Sequence, residues 1–104
     1  MIPNWLMALE DLALIKAAMD STPPDWTTAQ KIWEDQLDYA TLPLFQQYEP
    51  GQAPVIVDPR IGGARVDIER LHQALKARNR TMVDSLLVST LQKVRALAAE
   101  TVVV

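Results

Sequence analysis

Residues 81–100 read TMVDSLLVSTLQKVRALAAE, and within them Val83, Leu87, Thr90, Val94 and Leu97 recur in alternating steps of four and three. That spacing keeps one narrow stripe on a partner helix, as in an antiparallel bundle or a short coiled-coil seam. Leu86, Leu91 and Ala98 widen the stripe, and Asp84, Ser85, Gln92, Lys93 and Arg95 fall mainly on the other side. Thr81 with Asp84 three residues on resembles a capping box, which places the helix start at Thr81.

Working outward, the first helix is expected from Asn4 or Trp5 to Asp20, with Asn4 as its cap. Trp5, Ala8, Leu12, Ile15 and Met19 make one stripe, Leu6, Leu9 and Ala13 a second, and Met7, Leu14 and Ala18 a third. A helix apolar nearly all round must be covered on most of its circumference. A small domain buries too little surface to do this easily, so a second chain is the favoured cover.

The run Thr22-Pro-Pro-Asp25 reads as a helix start with Thr22 as cap. Trp26, Ala29, Trp33, Leu37 and Ala40 then share a face with Ile32 beside it, and Glu34, Asp35 and Asp38 form an acidic outer side. Leu42-Pro43 ends this helix. Residues 50–66, PGQAPVIVDPRIGGARV, read as an extended loop, with Val55-Ile56-Val57 as a short strand or arm and Gly62-Gly63 as a turn. Ala64 to Val66 is expected to pair back as a small hairpin, and the closing Thr-Val-Val-Val to add a strand to residues 55–57. Asp67 is expected to cap a short helix to Arg78, with Asn79 as its left-handed stop. The fold class is therefore all-α: one domain over residues 1–104, a three- to four-helix bundle-like arrangement with room for a minor β-ribbon.

Hydrophobic residues make up 49% of the 104 and charged residues 22%, which points to a globular chain. The absence of cysteine excludes disulfides and thiolate metal sites. The N-terminal apolar stretch is broken by Glu10, Asp11 and Lys16 and lacks a basic start, so it reads as neither leader nor membrane span. A cytoplasmic or virion-associated protein with no membrane partner is the expectation. Residues 1–58 hold nine acids against two bases, a net of −7, and residues 59–104 hold eight bases against four acids, a net of +4. Two halves neutralising each other within one fold is the simpler account. Head-to-tail self-association is the sharper one.

No catalytic constellation emerges. His72 is the single histidine, and none of Ser21, Ser85 and Ser89 sits in a nucleophile elbow. Gly62-Gly63 lacks the spacing and the following lysine of a phosphate loop. Glu69-Arg-Leu-His72 has the spacing of carboxylate-bridged metal bundles, with Glu34 or Asp38 available from the second helix. Lys76 shares that face, so a solvated ion-pair surface is preferred and no metal or cofactor is expected. Arg60, Arg65, Lys76, Arg78 and Arg80 form a basic patch around a helix–turn–helix outline, but the second helix opens with Met82-Val83-Asp84, which is wrong for reading a groove. Nucleic acid enters at most indirectly.

The functional expectation is a non-enzymatic assembly or adaptor subunit, either a homo-oligomer of ring or connector type or a small subunit of a larger complex. Trp5, Leu6, Leu9, Val55, Ile56, Val102, Val103 and Val104 are its expected partner contacts, and Trp5, Trp26 and Trp33 are natural interface anchors. A small regulator docking on a nucleic-acid-processing complex is the first alternative. A metal-binding half-bundle of ferritin-like type is the second.

Overall fold

Asn4 starts the first helix: its Oδ1 accepts the backbone N–H of Met7 at 3.0 Å, satisfying one of the donors a helix leaves open at its first turn. In the computed structural model, which describes residues 4–41 and 59–102, the helix it begins is α1, Trp5–Met19. The expected stripe Trp5, Ala8, Leu12, Ile15 and Met19 is buried throughout. Asp20 closes α1, its N–H donating to the carbonyl of Lys16 at 2.9 Å.

The second helix is capped by Asp25 and not by Thr22. The N–H of Asp25 donates to the carbonyl of Ala18 at 2.9 Å, which folds the connection back onto the end of α1. There its carboxylate accepts the N–H of Thr28 at 3.1 Å, while the Thr22–Pro23 peptide is cis. Helix α2 runs Trp26–Ile32, continues through a π-helical turn at Trp33–Leu37, and stays helical to residue 41. Ala29, Trp33, Leu37 and Ala40 are buried and Trp26 packs partly buried against them. The N–H of Asn4 donates to the carbonyl of Ala40 at 3.0 Å, so α1 and α2 form an antiparallel pair.

Helix α3 spans Pro59–Ala77, which corrects the reading of residues 59–66 as loop and hairpin. Pro59 opens the helix, a place where a missing N–H costs nothing. Ala64, Ile68, Leu71 and Leu75 form a buried stripe, with Ile61 partly buried above it. Burial of that stripe outweighs the poor helix propensity of Gly62 and Gly63. Asp67 is consequently mid-helix and is not a cap. It is 6% exposed and accepts hydrogen bonds from Ser89 Oγ at 2.7 Å and Lys93 Nζ at 2.8 Å, tying α3 to the last helix.

That last helix, α4, spans Arg80–Val102. Arg78, not Asn79, takes the left-handed conformation between α3 and α4, with φ 54°. Asn79 instead caps α4, accepting the N–H of Met82 at 3.1 Å, which displaces the expected Thr81 cap. The side chain of Asp84 is engaged by Arg80 at 3.0 Å. The helix carries Val102, where a strand was expected, while Val55, Ile56, Val103 and Val104 lie outside the described residues.

Among the described residues these four helices and no strand make an all-α bundle-like fold around one core cluster. Helix α4 packs on both α3 and α1, and α2 packs on α1 and α3. The indole N–H of Trp33 donates to the carbonyl of Ile68 at 3.1 Å inside the α2–α3 contact. None of the described helices is long and apolar enough to cross a membrane.

Candidate functional site

A helix turns about 100° per residue, so with Trp5, Ala8, Leu12, Ile15 and Met19 inward, Leu6, Met7, Glu10, Ala13, Leu14 and Ala17 face away from the core. All six are exposed, Leu6 by 50%, Met7 by 41% and Leu14 by 44%. Five of the six are apolar. Lone exposed apolar side chains are ordinary, but a continuous helical face of them marks a contact surface.

The face continues into the seam with α4. One depression of about 340 Å³ lies among Leu9, Ala13, Ala17 and Leu91, with Lys16, Asp20 and Arg95 at its rim. A second, of about 220 Å³, shares Lys16, Asp20 and Leu91 and adds Leu87, Val88, Arg80 and Asp84. Together they form an apolar-floored groove with charged walls. Lys16 binds Asp20 at 2.8 Å, holding that carboxyl below its ordinary range. Arg80 adds to the same effect from across the groove.

Asp11 stands at the edge of this face and is 3% exposed, although it sits next to the fully buried Leu12. Its Oδ2 has no hydrogen-bond partner. Burial raises its pKa above the ordinary carboxylate value, and the neighbouring Glu10 raises it further.

A polar cluster occupies the α2–α3 side. The His72 ring stacks on Trp33 with centroids 3.8 Å apart and planes within 3°. Its Nε2 meets Glu34 Oε2 at 3.1 Å, and this contact, before that from Gln30, holds the Glu34 carboxyl below its ordinary range. A depression of about 420 Å³ beside the stack is lined by Trp33, Asp38, Glu69, Arg70, His72 and Gln73. Glu69 is turned to Arg65 at 3.3 Å. The Glu69/His72 pair expected to share a face therefore has its members engaged by different partners. Among the described residues no group of three or more histidines and carboxylates is placed to hold a metal ion.

The residues singled out from the sequence separate. Trp5 is 6% exposed and belongs to the core, so it is not available to a partner; Leu6 is on the outer face and Leu9 lines the groove. Met7, Glu10, Ala13, Leu14 and Ala17 complete the surface and were absent from the expected contacts. Their signal was the apolar second and third sides of α1, which does not say which side the fold leaves uncovered. In the basic patch, Arg60 binds Glu100, Arg65 binds Glu69 and Arg80 binds Asp84, while Lys76 and Arg78 are exposed. Carboxylates thus interrupt it. The ion pairs Lys16–Asp20, Arg60–Glu100, Arg65–Glu69, Arg80–Asp84 and Lys93–Asp67 each join residues of one half of the chain, and Glu34–His72 joins the two halves.

The geometry thus defines a small all-α chain whose most extensive described surface feature is an apolar helix face opening into a groove. Compared with known proteins, the chain matches no family model, no curated protein and no solved structure.

Proposed function

We propose that this chain is a non-enzymatic assembly or adaptor subunit that works by protein–protein contact, pairing with itself or seating in a larger complex. The observation that carries this reading is the outer face of α1, where Leu6, Met7, Ala13, Leu14 and Ala17 lie exposed together on one helix. Burying such a face is worth about 25 cal/mol per Å² of apolar area removed from water, which favours a partner. The opposite charge of the two halves supports it too. Most of the ion pairs described stay within a half, so the acidic and basic regions keep much of their contrast at the surface.

Light scattering on the purified chain at low and high salt tests the reading. The expected result is an oligomer whose mass falls as salt rises, because exposed charges are screened within about 10 Å at 0.1 M. A monodisperse monomer indifferent to salt overturns self-assembly.

A further inference from the structure

The outward residues of α1 have an internal order. Met7, Glu10, Leu14 and Ala17 follow steps of three, four and three, the spacing of a coiled-coil seam, with Leu6 and Ala13 alongside. Large and small side chains alternate along it in a way that suits an antiparallel copy of the same helix. With Met7 set against Ala17 of a second copy, Glu10 falls against Leu14, and every large side chain meets a smaller or complementary one. A two-fold axis makes such a contact close on itself.

The seam holds one charge. Glu10 forms no ion pair with a described residue and adds to the field that disfavours ionisation of the adjacent Asp11. A carboxylate enclosed in an apolar contact without a cation would be costly. The matching cation is on the page. Arg95 of α4 is exposed, forms no ion pair with a described residue, and lines the groove beside Ala13 and Ala17. These are the small residues next to which Glu10 of an antiparallel copy arrives. Arginine's long stem and forked donors suit a contact across such a small-residue floor.

We propose that two copies of this chain pair antiparallel through Met7, Glu10, Leu14 and Ala17 of α1, with Glu10 of each copy meeting Arg95 of the other. The proposal rests on the self-association reading above and names its occupant, its symmetry and its charge contact. It also states which parts of the two oppositely charged halves meet. A closed pair, unlike a head-to-tail chain of subunits, stops at two.

The test is light scattering on the full chain over a range of concentrations, with the variants Glu10→Arg, Arg95→Glu and the two combined. The native chain is expected at twice its 11.6 kDa, each single reversal at 11.6 kDa, and the combined reversal back at the doubled mass. A second readout is independent of the charges. The chain has no cysteine, so Ala13→Cys, close to the two-fold axis, is expected to close a disulfide between copies on oxidation, and the distant Thr81→Cys is not. An oligomer that ignores both reversals and leaves Ala13→Cys uncrosslinked overturns the pairing while the assembly reading stands. A mass that climbs past two copies with concentration does the same. A native chain that stays monomeric at every concentration overturns both.

Discussion

Asp11→Ala should raise the stability of the chain at neutral pH, an unusual direction for removing a buried side chain. Asp11 is 3% exposed, and its Oδ2 lacks a hydrogen-bond partner. An unsatisfied buried polar group costs about 1–3 kcal/mol, and more when charged. Replacing aspartate by alanine in a helix adds up to about 0.7 kcal/mol. The opposing loss is the packing of a single carboxyl group, so the expected net gain is about 1–3 kcal/mol, each kcal/mol being worth roughly 4–8 °C in Tm for a domain near this size. The pH dependence fixes the cause. Burial raises the Asp11 pKa above its ordinary 3.8, so the folded state favours the neutral acid. Stability linked to Asp11 is then full below the ordinary value and is lost as pH rises through the raised one. The advantage of Asp11→Ala should therefore open on going from acid to neutral pH. Thermal unfolding followed by circular dichroism across that range, at one protein concentration, measures it. A lower Tm for Asp11→Ala at neutral pH, or a gain unchanged by acid, would show that Asp11 is held by a partner and refute the argument.

Asp67→Ala should destabilise by about 1.5–3 kcal/mol in urea unfolding, because the buried carboxylate joins α3 to α4 through Ser89 and Lys93. Asn79→Ala should cost about 1 kcal/mol in the same assay by opening the first turn of α4. His72→Ala should alter the acid limb of the stability curve. Glu34 is held below its ordinary 4.5, first by His72, so its contribution is present above that value and lost as pH falls through the lowered one. Without His72 the decline in stability below about pH 4.5 should be shallower, and an unchanged limb would show that Glu34 gains nothing from the contact.

The helices that could be read from the sequence were those whose apolar spacing and flanking polar residues agree. The stripe Trp5, Ala8, Leu12, Ile15, Met19 and the stripe Val83, Leu87, Thr90, Val94, Leu97 are both buried as their periods require. Residues 59–66 were misread because local and tertiary signals conflict there. Gly62-Gly63 and the flanking Asp58-Pro59 read as turn residues, yet Ala64 begins a buried stripe that only α4 makes worthwhile. Gly63 also shows why a side chain from elsewhere matters: a Cβ added there would lie 3.8 Å from Lys93 Cε, so the bare backbone lies against the lysine stem that reaches Asp67. Caps moved by a few residues for a similar reason, since Asp25 and Asn79 occupy the helix entries once the chain reverses against its neighbours. The candidate surface was half legible. The excess of apolar residues in α1 announced an uncovered side, but only the packing of α2 and α4 shows that it is the side of Leu6, Met7 and Leu14. The stack of His72 on Trp33 left no trace in the spacing of either helix, because it depends on how α2 meets α3.

The π-helical turn at Trp33–Leu37 bears on what changes of length this chain tolerates. Bonding i to i+5 in place of i+4 accommodates roughly one residue more per turn, which resets the rotational phase of everything downstream. In this setting Trp33 bonds to α3 through Ile68 while Ala40 receives the N–H of Asn4 at the start of α1. Deleting a residue such as the exposed Gln36 would restore an ordinary helix and swing residues 38–41 by about 100°, pulling Ala40 and Thr41 off the core. Substitution at Gln36 is cheap, whereas loss of the position is not, so α2 behaves as a counted element whose residue number is under tighter constraint than its surface chemistry.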